Sequence, residues 1–139
     1  MKYTKHILCG IAVGLVQYLL ITGFSYLSVI LPLSVSLGSA LLIGAHVLVV
    51  FVAGWNVYYK VGSVATLFVR VFASIGAYIL AWFVCAHFGV ILSLEKWLGL
   101  GSGGANSQGL ISLSLHICLL LAGIIMIALK CVALRKGDE

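Results

Sequence analysis

Acidic side chains are almost missing from this sequence. In 139 residues the only carboxylates are Glu95, Asp138 and Glu139, and each falls outside the long apolar segments. Proton-coupled transporters and cation pores ordinarily hold carboxylates within the membrane. Hydrolases need paired acids or a Ser-His-Asp set. Neither arrangement can be assembled here, so the chain is expected not to be an enzyme and to have no catalytic residues.

Charge of either sign is scarce as well. Charged residues make up 8% of the chain, against roughly a quarter in soluble domains. Hydrophobic residues make up 63% and the mean hydropathy is +1.26. A water-soluble fold of this length has too little interior to hide that much apolar surface, so lipid is the expected solvent. Cys9, Cys85, Cys118 and Cys131 lie in or beside apolar segments, and no Cys-x-x-Cys occurs. Small buried hydrophobes are therefore expected rather than a disulfide framework. Alternation of period two, the mark of a transmembrane barrel, is also missing.

What is present is four long apolar segments, at about 7–31, 36–56, 64–92 and 109–131. A spanning helix needs ~20 residues, and in lipid the main chain must bond within its own helix. The expected fold is all-α: a polytopic integral membrane protein built as one four-transmembrane-helix bundle. The first segment is too long for the apolar region of a cleavable signal peptide and is expected to stay. Pro32 closes it, because proline disfavours helical backbone in the residue before it. Tyr58, Tyr59, Lys60 and Gly62 make an interfacial turn. Residues 93–108 form an outer Gly-rich loop that includes Gly99, Gly101, Gly103 and Gly104.

The formal net charge of +5 is read through topology rather than nucleic acid. Lys2, Lys5, Lys60, Arg70, Lys130, Arg135 and Lys136 fall on one side, and only Lys96 falls on the other. Basic residues mark the cytoplasmic side. Both termini are therefore expected in the cytoplasm, at a plasma (inner) membrane, with an anionic leaflet attracting the basic ends. Arg70 lies ~9 Å into the third helix and is expected to snorkel back to the inner surface.

Four histidines, His6, His46, His87 and His116, raise the question of metal or haem. They do not share a depth. Cys85 and Cys118 stand two residues from His87 and His116, and such pairs point ~200° apart on a helix. A His87–His116 pair is the weak candidate that remains, two ligands short of a closed site. No cofactor is expected. His46 falls at mid-membrane, where an imidazole needs a partner. Its side-chain neighbours Leu42, Ile43, Val49 and Val50 supply none, so a polar mid-membrane cluster of His46, Gln17 and Tyr78 is expected.

Small residues recur at helical spacing. Gly10, Gly14, Gln17, Ser25 and Ser28 share a face of the first helix. Ser36, Ala40 and Gly44 share one on the second, and Ser114, Cys118 and Ala122 one on the fourth. The third carries Ala73, Ala77, Ala81, Cys85 and Gly89. In lipid, helices associate by close backbone approach at such residues. Gly10, Gly14, Ala73, Ala77, Ala81 and Gly89 are the expected packing or interface positions. With the small face of the second helix turned inward, His46 would turn outward, to meet either lipid, at a cost, or another chain. The expected function is non-enzymatic, by helix–helix association with itself or another membrane protein. The chain would then be a homo-oligomer, an accessory subunit or an immunity component. Two alternatives are an oligomeric channel or transporter lined by His46, Gln17 and Tyr78, and a haem or redox subunit.

Overall fold

The computed structural model describes residues 3–30, 35–87 and 107–137. They form four helices: α1 Thr4–Ile30, α2 Val35–Tyr58, α3 Val64–His87 and α4 Ser107–Lys136. All four are long and apolar enough to cross a membrane. No proline interrupts any of them. The third apolar segment is described only as far as His87, so Gly89 and most of the 93–108 loop lie outside the described residues. The fourth helix is longer than its apolar run and carries Arg135 and Lys136 in its last turn, where cations meet the negative end of the helix dipole.

Between α2 and α3 the chain turns sharply. Lys60 has φ 53°, the left-handed region, and its ammonium lies 5.2 Å from the Tyr59 ring centre. Ser63 and Thr66 then start α3 with a reciprocal cap. The Thr66 N–H donates to Ser63 Oγ at 3.2 Å and the Ser63 N–H to Thr66 Oγ1 at 3.2 Å. This satisfies donors that a helix start leaves over.

The helices pack unequally. α1 and α3 share the most extensive contact, α2 lies against α1 and α4, and α3 barely touches α4. The reason is in the glycines of α1. A β-carbon on Gly10 would overlap the main-chain oxygen of Arg70 and lie 2.9 Å from Ala73 Cβ. One on Gly14 would overlap the Ser74 oxygen and lie 3.1 Å from Ala77 Cβ. Only glycine lets the two backbones meet this closely. Ala73 and Ala77 are thus engaged within the bundle, which removes the reason to read them as a surplus surface for a second chain. Ala81, farther along α3, is half-buried.

Two apolar clusters fill the interior. Ile21, Ala45, Val49 and Leu115 form one, with Phe24, Tyr78 and Leu119 against it. Val57, Val61 and Leu67 form the other, with Met126, Ile127 and Leu134. Leu19, Phe51, Phe72, Phe83 and Leu120 cover the outside, each more than half exposed. On α2 the small face is the outward one: Ala40 and Gly44 are exposed while Ala45 and Val49 are buried. This reverses the inward placement expected from residue size. The α2 core is instead made by Ala45 and Val49 meeting Ile21 and Leu115.

Candidate functional site: a cleft with a polar floor

Arg70, Ser74 and Tyr78 lie four apart on α3, so they line one stripe of the helix with ~6 Å between successive rungs. Each rung meets a different helix. Arg70 Nε–H donates to Asn56 Oδ1 on α2 at 3.0 Å. Ser74 Oγ donates to Gln17 Oε1 on α1 at 3.3 Å. Tyr78 Oη and His116 Nε2 on α4 are 2.5 Å apart.

The last pair has a defined proton arrangement. His116 Nδ1 lies 2.7 Å from the Ser112 carbonyl oxygen, which only accepts, so Nδ1 carries the hydrogen. In the neutral ring Nε2 is then the acceptor and the Tyr78 hydroxyl donates to it. The Tyr78 ring also meets Tyr18 edge-on, centroids 5.7 Å apart.

Arg70 does not snorkel. It is 1% exposed, and its Nη1 donates to the Tyr59 carbonyl at 2.5 Å. The cause is the turn before α3. It places the end of α2, with its unsatisfied carbonyls and negative dipole, within reach of the guanidinium. Arg70 therefore caps α2. Its Nη2 is buried and has no hydrogen-bond partner among the described residues.

Because α3 and α4 stand apart, a cleft of about 310 Å³ opens between them, with residues of α1 and α2 at its base. Its deep side holds three polar side chains, Gln17, Asn56 and Ser74, which are 6%, 5% and 4% exposed, among apolar ones such as Ala53 and Val57. Its rim is apolar, made by Ile75, Leu120 and Ile124, all about half exposed or more. Gly123 lies in the α4 wall, and a β-carbon there would meet nothing within 4 Å. An apolar cavity with a few convergent polar groups is the usual form of a small-molecule site.

The structure brings Gln17 and Tyr78 to this cleft but not His46. His46 Nδ1 is bonded at 2.8 Å to the Leu42 carbonyl one turn back in its own helix. That main-chain acceptor is the partner its side-chain neighbours could not supply. The half-buried ring belongs to no cluster with Gln17 or Tyr78. Of the two weak metal candidates, His87 is exposed near the end of α3. Both His116 nitrogens are engaged, by Ser112 and Tyr78. Among the described residues, no three His, Cys, Asp or Glu side chains are grouped.

Sequence reasoning missed Asn56, Ser74 and the Tyr78–His116 bond. The four-residue spacing of Arg70, Ser74 and Tyr78 was the signal that could have found them. Compared with protein-family models, with characterised proteins and with solved structures, the chain matches none.

Proposed function

We propose that this chain is a non-enzymatic binding module embedded in a membrane, which takes a hydrophobic guest from the bilayer into the cleft between α3 and α4. All four helices would span, with both ends on the cytoplasmic face of a plasma (inner) membrane. The observation that carries this reading is the cleft itself. It opens sideways through an apolar rim, toward what would be lipid, over a floor that holds three buried polar side chains.

Gly123→Phe tests this, because the new ring enters the cleft from a wall with space for its β-carbon. Gly76→Phe is the control, since Gly76 also faces open space but does not line the cleft. Native mass spectrometry of protein released from lipid nanodiscs should show a bound amphiphile on the parent and on Gly76→Phe, and none on Gly123→Phe. Equal occupancy in all three contradicts the reading.

A second reading, lateral association as a homo-oligomer or accessory subunit, draws on the outward face of α2. Ala40 and Gly44 are exposed there, and Gly44 has nothing within 4 Å of a β-carbon position. A neighbouring helix could approach closely at such a face. Gly44→Phe should then reduce the protein mass measured by light scattering in mild detergent.

A further inference from the structure

We infer that the guest in this cleft is a single-chain amphiphile with an oxyanion head, a carboxylate or a phosphate, seated on the amide of Asn56. The inference rests on the cleft being a binding site.

The floor has donors to spare. Arg70 Nε–H can only donate, so its bond at 3.0 Å fixes Asn56 Oδ1 toward Arg70 and turns the amide NH2 away. Among the described residues nothing accepts from that NH2, and Asn56 lines the cleft. Gln17 Oε1 is likewise taken by Ser74, which leaves the Gln17 amide NH2 as a second donor in the same floor. Tyr78 and His116, farther along, answer each other and ask for nothing.

Charge points the same way. The Arg70 guanidinium is 1% exposed, meets only an amide and a main-chain oxygen, and has an orphaned Nη2. No described residue is acidic. The α2 terminus offsets about half a charge, so the floor keeps a positive potential in a low-dielectric setting. The Arg70 bond also polarises the Asn56 amide and strengthens it as a donor. An oxygen head that accepts from Asn56 sits a few ångström from that charge, close enough for the charge to favour an anion over a neutral head about ten- to a hundredfold. A cationic head is disfavoured by the same field. The tail then lies against Ile75, Leu120 and Ile124, an apolar surface that suits an alkyl chain. A volume of 310 Å³ lies at the small end of ligand sites, which suits one chain rather than two.

The test uses the full chain in phosphatidylcholine nanodiscs and radiolabelled oleate, read by scintillation proximity. Competitors are unlabelled oleate, lysophosphatidic acid, oleyl alcohol and oleylamine. Oleate should bind, and oleyl alcohol and oleylamine should compete at least tenfold less well than unlabelled oleate. Competition by lysophosphatidic acid equal to that by oleate makes the site a general oxyanion site. Competition by oleate alone makes it a carboxylate site. Asn56→Asp keeps a partner for Arg70, so the fold is retained, but it cancels the charge and replaces the donor with an acceptor. It should weaken oleate at least tenfold and labelled oleyl alcohol by much less. If oleyl alcohol matches oleate on the parent, or Asn56→Asp binds oleate normally, the head-group inference is overturned while the cleft stands. If no probe binds the parent, the cleft reading itself fails.

Discussion

Gly10 and Arg70 are in backbone contact: the main-chain oxygen of Arg70 occupies the place a β-carbon on Gly10 would need. One turn on, Gly14 and Ser74 repeat the relationship. The residue that supplies the buried charge is therefore also one seat of the close approach between α1 and α3.

Gly14→Val should separate α1 from α3 and lower stability. Overpacking a fitted contact costs about 1–3 kcal/mol. Gly44→Val and Gly123→Val, where nothing lies within 4 Å, should cost less than about 0.5 kcal/mol. Equilibrium unfolding in a mild detergent checks the contrast, and equal effects at all three positions would contradict the packing described.

Arg70→Lys keeps the charge but loses the fork that reaches Asn56 and Tyr59 together. An ammonium is a point donor on a flexible stem, and at least one buried acceptor is left unpaired at about 1–3 kcal/mol. A loss of stability is expected in the same assay. If Arg70→Lys is as stable as the parent, the guanidinium geometry has no structural role.

Tyr78 and His116 should be energetically coupled. Tyr78→Phe leaves His116 Nε2 without its donor, and His116→Phe leaves the Tyr78 hydroxyl without its acceptor. The double variant should be less destabilised than the sum of the two, by about 0.5–3 kcal/mol in a double-mutant cycle. Strict additivity would mean the 2.5 Å bond is not formed in the native protein. His46→Leu forfeits only a bond to its own helix and should cost less than either single change.

The four helices were legible because apolar length alone decides what can span, and their ends fall within a few residues of the segments read from sequence, except where the third passes out of the described residues. The importance of Gly10 and Gly14 was legible too, since glycine four apart has few other uses in an apolar helix. Their partner was not. Every helix carries small residues, and sequence spacing does not say which face meets which. His46 misled because periodicity reports neighbouring side chains but not the carbonyl one turn back. Arg70 misled because the tight turn at Lys60 folds the end of α2 back within its reach, a tertiary effect that burial depth along one helix cannot reveal.

Topology has a direct test. Alkaline phosphatase fused after Ser102 should be active, and inactive when fused after Glu139. The opposite pattern would invert the proposed orientation.

The central claim is that the cleft, rather than the whole apolar exterior, receives the guest. A diazirine-bearing fatty acid photolysed in nanodiscs with the full chain, followed by mapping of the adducts by mass spectrometry, tests this most directly. The account predicts adducts concentrated on Ile75, Leu120 and Ile124, on the two walls that face one another. Labelling spread evenly over Leu19, Phe51 and Phe83, which are at least as exposed but lie outside the cleft, would contradict it.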